Sequence, residues 1–303
     1  MPGLKEVRTR IASVKSTQQI TNAMKMVAAS KLRRAQSAIL KLRPYAGKLR
    51  EILQNLSASI DQTEGNIYSA DRKPVKILMV VIASNRGLCG AFNSNIVKMA
   101  TGRIANEYRE QHAAGNVALL TIGRKATEYF RKRKFNVAES HDELFDRLTF
   151  AHVSELAEKL MKGFANQEYD RIELIYNQFK NAAVQRLIVE QYLPIAPQEN
   201  SPESAAGSRQ SGEIKQETDY IFEPDKETIV RELIPKTLRI QLFKAVLDSF
   251  ASEQGARMTA MQKATENAKD LLRDLNISYN KARQNAITNA ILEIVSGAEA
   301  LKG

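Results

Sequence analysis

The feature that most constrains this chain is a long stretch near the C-terminus without proline. After Pro235 no further proline occurs before about Leu301, and only Gly255 and Gly297 interrupt a run of good helix formers. As a single helix, at about 1.5 Å per residue, the run would be roughly 100 Å long. Because a helix of that length cannot fold back inside one compact domain, the sequence predicts a projecting rod.

The apolar residues of this predicted helix form a narrow stripe of mostly small side chains, spaced by three or four residues. Its members are Ala256, Ala260, Ala264, Ala268, Leu271, Leu275, Tyr279, Ala282, Ala286 and Ala290. Small side chains let a second helix approach closely, whereas a rod alone in water would gain little from them. The stripe therefore predicts a partner helix.

The N-terminal region supplies a heptad repeat that fits this partner. Apolar residues alternate at steps of three and four at Leu4, Val7, Ile11, Val14, Leu32, Ala35, Ile39, Leu42, Ala46, Leu49, Leu53 and Leu56, while Gln18, Thr21, Lys25 and Ala28 fill the remaining places. Such a repeat is typical of a coiled coil. The alternative, an amphipathic helix packed on a globular core, accounts poorly for the polar break at Gln18 to Lys25.

The charge is concentrated on this first helix. Residues 1–58 contain twelve Lys and Arg against Glu6 and Glu51, a net +10 of the chain's formal +11. A helix this basic is expected to meet an acidic surface, whether nucleic acid, anionic lipid or protein.

Between the two helical regions, strands alternate with helices, which predicts a doubly wound, Rossmann-like α/β domain over residues 73–196. Its predicted elements are strand 75–83, helix 92–112, strand 116–122, helix 124–133, strand 135–138, helix 151–167 and a hairpin of 171–179 with 184–194. We predict a flexible link and a foot over residues 197–224, and the C-terminal coiled-coil helix over 225–303, the N-terminal one being 1–58. Within the last region, a short helix from Asp225 to Leu233 is expected to precede a long helix that Pro235 starts or kinks.

No catalytic, cofactor or metal site is predicted in the α/β domain. Gly87 and Gly90 follow the first strand, where a nucleotide would bind, but the three-glycine fingerprint is missing. Cys89 has no neighbouring base, and it is the only cysteine, so no internal disulfide can form. His112, His141 and His152 lack metal-ligand spacing, and the acidic group Asp142, Glu143 and Asp146 fits a helix start. The longest apolar run, Ile77 to Ala83, is too short to cross a bilayer.

Several short segments, in the right order along the whole chain, resemble the gamma subunit of the bacterial F-type ATP synthase. They are 11–14 (IASV), 18–31 (QQITNAMKMVAASK), 86–90 (RGLCG), 251–254 (ASEQ) with Arg257 and Met258, 279–284 (YNKARQ), 287–288 (IT) and 293–298 (EIVSGA). The chain departs from the family at Asn85, where Asp is often found, and in its link from Ala196 to Thr218. Neither departure touches the coiled coil.

The resemblance implies an antiparallel coiled coil with an inserted Rossmann-like domain, acting as a rotary shaft without catalysis of its own. It would couple proton flow through the c ring to the conformational cycle of the catalytic β subunits. The implied partners are the α3β3 hexamer, the epsilon subunit and the c ring, with no cofactor, no nucleic acid and no direct insertion into the membrane. The implied location is peripheral, on the cytoplasmic face of the bacterial inner membrane.

The resemblance also assigns residues to three surfaces. A β-subunit contact would comprise Gln18, Thr21, Met24 and Lys25 with Arg257, Gln284 and Thr288 from the other helix. An apolar bearing tip would comprise Ile291, Ile294, Val295 and Leu301, and a foot toward the c ring and epsilon subunit would comprise Tyr220, Phe222 and Glu223. Two other functions remain possible from the residues alone: a basic coiled coil that binds nucleic acid, and a nucleotide-using enzyme built on the α/β domain.

Overall fold

The structure is a computed structural model that describes residues 4–59, 68, 72–182, 184–195 and 226–301. Two long helices dominate it: α1, Leu4–Ser59, and the C-terminal helix, Lys226–Ala300, here α6. Between them lie β1 (Ile77–Ile82), α2 (Phe92–Asn106), α3 (Arg109–Ala113), β2 (Val117–Ile122), α4 (Arg124–Lys132), β3 (Val137–Ser140), a 3₁₀ turn (Asp142–Phe145), α5 (Phe150–Ala165), β4 (Arg171–Phe179) and β5 (Gln185–Leu193).

Within the part of the chain that the structure describes, five strands form one sheet in the order β3-β2-β1-β4-β5. The β1–β2, β1–β4 and β2–β3 pairs are parallel, and only β5 runs antiparallel, as the short turn between β4 and β5 requires. Strand β1 is buried along its whole length, as a central parallel strand covered on both faces must be. The predicted α/β class is confirmed.

Alternate residues of β1 enter two separate cores. Ile77, Met79 and Val81 pack under α2 and α4. Leu78, Val80 and Ile82 pack under α5 and the N-terminal part of α6. Helix α6 is therefore a wall of the α/β domain before it becomes half of the coiled coil.

A third cluster joins α1 to this domain. Leu32, Ala35 and Ile39 of α1 pack against Leu247 and Ala251 of α6, close to Phe179 at the end of β4. The paired helices thus share an apolar base with the sheet domain, and the rod continues from it.

Two predicted helices are corrected. The helix expected over 92–112 ends at Asn106 and restarts at Arg109, because Tyr108 turns inward, where it is 3% exposed and its hydroxyl donates to the buried carboxylate of Glu173. The short helix expected before Pro235 is instead continuous with α6, which contains this proline. A proline removes one helical hydrogen bond, and burial of Ile234 and Leu238 on either side holds the helix together here.

Candidate functional site

The α1–α6 seam is antiparallel, and two hydrogen bonds fix its alignment. Lys25 Nζ donates to Gln262 Oε1 at 2.9 Å, and Thr265 Oγ1 donates to Thr21 Oγ1 at 2.9 Å. Residue numbers fall along one helix as they rise along the other, so the two helices run in opposite directions. Every heptad position from Leu4 to Leu49 is buried or half-buried, which confirms the predicted coiled coil.

The predicted polar break therefore lies inside the seam rather than outside it. Thr21 is 9% exposed and Lys25 is half-buried, and both are engaged with α6. Gln18 and Met24 are also half-buried. These contacts do not follow from the heptad repeat, because a heptad template treats polar residues as interruptions rather than as paired groups.

A second apolar stripe on α1 points away from the seam. Ile20, Met26 and Val27 are each more than half exposed. Ile20 and Val27 are seven residues apart on heptad positions that face solvent, and this spacing is the signal that could have identified them in the sequence. These side chains therefore form an apolar stripe on the outer face of a basic helix, which makes this face a candidate contact surface.

Arg257 has partners within the chain. Its guanidinium lies 2.5 Å from the Glu253 carboxylate and donates to the main-chain carbonyl of Arg86 at 3.1 Å and of Gly87 at 3.4 Å. Burial raises the pKa of Glu253, and Arg257 acts in the opposite direction. The structure thus gives Arg257 a role in joining α6 to the β1–α2 loop, which the sequence analysis did not predict.

That same loop presents an exposed leucine. Leu88 has φ 63° and is 62% exposed, while Cys89 beside it is buried and hydrogen-bonded to Ser84 and Asn93. Burial raises the pKa of the Cys89 thiol, so it does not favour the thiolate. The left-handed backbone at Leu88 turns the side chain outward next to the rod.

The C-terminal end of α6 extends beyond α1. The alignment of the seam sets Leu4 opposite Ala282, and residues 283–301 are exposed throughout. At 1.5 Å per residue this overhang is about 27 Å long. It carries the predicted Gln284, whose carbonyl accepts from the Thr288 hydroxyl, and the predicted bearing residues. Those bearing residues are exposed by 55% at Ile291, 71% at Ile294, 50% at Val295 and 90% at Leu301.

The predicted foot residues Tyr220, Phe222 and Glu223 lie outside the described residues.

Helix α6 crosses the place where a nucleotide would bind. Strand β1 lies between β2 and β4, so the strand order reverses at β1. In sheets of this kind, ligands bind beyond the carboxyl ends of the strands at the point of reversal. Here Ser249 donates to the Ile82 carbonyl at the end of β1, and Ser252 donates to the Asn177 carbonyl of β4. The chain's own helix therefore closes the crevice.

The histidines of the domain are engaged in structural contacts. His141 lies between the carboxylates of Glu139 and Glu143, at 3.1 and 3.2 Å, and His112 stacks on Phe135. Within the part of the chain that the structure describes, no three His, Cys, Asp or Glu side chains are grouped to hold a metal ion. No helix there is long and apolar enough to span a membrane.

Fold and surfaces together define a class of protein, a stalk-forming subunit in which a two-helix rod rises from an α/β domain and ends in one exposed helix. A family model described as ATP synthase matches residues 3–301, and the chain belongs to this family, as one of its gamma chains.

Curated relatives match along their whole length. The chain is 53% identical to the ATP synthase gamma chain of Flavobacterium johnsoniae over 303 residues, which are all of both chains. It is 51% identical to that of Cytophaga hutchinsonii, covering 99% of each.

Solved structures match the fold. A chain of the Tetrahymena thermophila mitochondrial ATP synthase, from a structure of its central stalk and c ring, is 26% identical with a TM-score of 0.55, covering 81% of this chain and 99% of that one. A chain of the Euglena gracilis mitochondrial ATP synthase has a TM-score of 0.68 at 22% identity, covering 98% of this chain and 94% of that one.

Proposed function

We propose that this chain is the central rotary shaft of an F-type ATP synthase, coupling proton translocation through the c ring to the conformational cycle of the catalytic β subunits. It catalyses nothing itself. The proposed partners are the α3β3 hexamer around the rod, with the c ring and the epsilon subunit at the opposite end. The chain would sit at the cytoplasmic face of the bacterial inner membrane through these partners, without a membrane segment of its own.

One observation carries the proposal: the rod is asymmetric along and around its axis. Among the described residues, only α6 continues past the level of Leu4, and the polar and apolar faces of α1 differ, with Ile20 and Val27 on one side. A shaft changes the state of three surrounding sites in turn only if it contacts them unequally, because equal contact would shift no population. Rotation of an asymmetric rod provides such unequal contact.

The surface that meets β is proposed to combine the predicted residues that remain accessible with those the structure adds. Gln18, Met24, Gln284 and Thr288 retain exposed or half-exposed side chains. Ile20, Val27 and Leu88 join them as apolar contacts. Lys25 and Arg257 are also bonded within the chain, to Gln262 and Glu253. Their proposed contribution to the β contact is therefore their positive charge at these positions.

The basic face of α1 is proposed to meet acidic loops of β rather than nucleic acid. The seam of α1 is occupied by α6, and no aromatic or base-reading pattern accompanies the positive charge. The competing function predicts binding of duplex DNA that weakens steeply with salt. A shaft subunit is expected to show no binding to DNA at physiological salt, measured by fluorescence anisotropy with the full chain.

The decisive experiment is reconstitution of the complete complex in lipid vesicles, with ATP hydrolysis and ATP-driven proton pumping measured together. We expect Ile20→Asp with Val27→Asp to lower the pumping obtained per ATP hydrolysed, because both carboxylates would face acidic loops. Leu40→Asp is the control, since Leu40 is an apolar residue of α1 that is 65% exposed and follows Ile39, which packs in the cluster that joins α1 to the sheet domain. If complexes with and without this chain hydrolyse and pump alike, the proposed function is overturned.

A further inference from the structure

The two polar pairs in the seam form a single layer in which side chains of α1 and α6 hydrogen-bond to each other. Lys25 with Gln262 and Thr21 with Thr265 are one helical turn apart on each helix. The amide of Gln262 is oriented by its second contact, in which Nε2 donates to Glu266. The Lys25 ammonium therefore meets an oxygen that is held in place.

Apolar contacts on either side of this layer do not distinguish between alignments that differ by one heptad. In the observed alignment Leu32 lies near Gln254 and Ala251, and a slip of seven residues would bring it to Met261 in one direction or Leu247 in the other. Either slip would therefore still give Leu32 an apolar partner, so this contact alone does not exclude the slipped alignments.

The polar layer does distinguish them. If α1 slipped seven residues toward the C-terminal end of α6, Lys25 would lie opposite Lys269 and Thr21 opposite Leu272. The opposite slip sets Lys25 beside Gly255, which has no side-chain acceptor, and Thr21 beside Met258. Either way a half-buried ammonium loses its acceptor or meets a like charge, and both are costly away from water.

We propose that the layer of Lys25, Gln262, Thr21 and Thr265 sets the register of α1 on α6 and thereby fixes how far α6 extends beyond α1. One heptad of slip would change this overhang by about 10 Å. A buried polar pair that specifies alignment at some cost in stability is an established device in coiled coils. The inference concerns the chain alone and does not rest on the proposed function.

The register is measured by disulfide formation in the full chain, in a Cys89→Ser background. Val14 lies one heptad before Thr21, and Leu272 lies one heptad after Thr265, so the two residues are opposite each other in the native register. The pair Val14→Cys with Leu272→Cys therefore reports that register. Val14→Cys with Tyr279→Cys and Val7→Cys with Leu272→Cys report the two slipped registers. With the polar layer intact, only the native pair is expected to cross-link under mild oxidation.

The layer is then replaced by apolar residues through Thr21→Val, Lys25→Leu, Gln262→Leu and Thr265→Val. We expect the variant to stay helical and at least as resistant to heat, and one or both slipped pairs to cross-link together with the native pair. The double variant Lys25→Met with Gln262→Leu is a milder test should the fourfold change prevent folding, and is expected to give the same slipped products in smaller yield.

The competing determinant is the packing of Leu32, Ala35 and Ile39 on the sheet domain, which all of these variants retain. If every folded variant cross-links only at the native pair, that packing sets the register and the proposal is wrong. The matched control exchanges two apolar seam residues that this register sets opposite each other, Ile11→Leu with Leu275→Ile, and leaves the polar layer and the Leu32 packing in place. It is expected to cross-link only at the native pair.

Discussion

The Arg257 guanidinium and the Glu253 carboxylate, one turn apart on α6, form an ion pair at 2.5 Å that is almost fully buried. Because the same guanidinium also reaches the β1–α2 loop carbonyls, this pair joins the rod to the sheet domain. Its loss would leave a buried carboxylate without its principal partner.

The first prediction is that Arg257→Ala destabilises the chain by about 3–5 kcal/mol, the usual cost of breaking one side of a buried pair. Burial raises the pKa of Glu253 above its ordinary 4.5, and removing Arg257 would raise this pKa further. A raised folded-state pKa gives stability that is present at low pH and lost as pH rises, so the loss should be larger near pH 8 than near pH 5. Urea unfolding at both pH values measures it.

The exposed pair Lys125–Glu128, at 2.7 Å, is the control for this measurement. Because both side chains are at least 40% exposed, Lys125→Ala is expected to cost less than about 1 kcal/mol at either pH. Equal effects at Lys125 and Arg257 would show that the buried pair does not join the two parts of the molecule.

The second prediction concerns the close approach of α6 to the β4–β5 turn. A Cβ on Gly255 would lie 3.0 Å from the Ala182 carbonyl oxygen, whereas a Cβ on Gly47 of α1 meets nothing within 4 Å. Gly47→Ala is therefore expected to stabilise the chain by up to about 1 kcal/mol through helix propensity. Gly255→Val is expected to destabilise it by about 1–3 kcal/mol through overpacking. Thermal unfolding compares the two, and stabilisation by Gly255→Val would contradict the observed approach.

The third prediction concerns alkaline pH. Tyr192 is 1% exposed, its hydroxyl donates to the Leu238 carbonyl at 3.1 Å, and burial raises the pKa of its phenol well above 10. Stability should thus be complete below about pH 10 and fall above it, because the unfolded chain releases this proton first. Tyr192→Phe should lose about 1 kcal/mol at neutral pH with the hydrogen bond and decline less steeply between about pH 9 and 11.

Tyr45 provides the comparison for the alkaline experiment, because this tyrosine is 45% exposed. Tyr45→Phe is expected to follow the wild-type dependence of unfolding midpoint on pH. A Tyr192→Phe curve that coincides with it would contradict the prediction.

The fourth prediction is that the overhang adds nothing to the stability of the fold. Truncation after Ala290 removes residues 291–301, which are all exposed, and the two residues that follow them, so the free energy of unfolding should change by less than about 0.5 kcal/mol. Leu238 packs against the sheet and is 2% exposed, so Leu238→Ala should leave a cavity and cost about 2–5 kcal/mol. Chemical unfolding followed by circular dichroism measures both, and a truncation as costly as Leu238→Ala would mean that the overhang is packed.

Much of this architecture could be predicted from the residues. The heptads from Leu4 to Leu49 identify the seam because each one is a local, periodic signal of burial. Strand β1 is visible as a continuous apolar run for the same reason. The antiparallel β4–β5 hairpin follows from its short turn.

The parts that escaped prediction depend on contacts between residues far apart in the chain. Helix α2 ends before Tyr108 because the Tyr108 hydroxyl donates a hydrogen bond to Glu173, on a strand far away in the sequence. Pro235 remains inside α6 because the sheet buries its neighbours. The resemblance assigns Thr21, Lys25 and Arg257 to a β-subunit contact, but their partners on α6 and in the β1–α2 loop do not follow from local sequence patterns.

The passage of α6 from the wall of the sheet domain into the rod, without a break, has a mechanical consequence. There is no joint at which the domain could swivel while the rod stayed still, because any relative twist would have to unwind hydrogen-bonded helix between Leu238 and Met261. A turning force applied at the globular end would reach the far tip through one continuous backbone, with little lag beyond the elastic give of the helix itself.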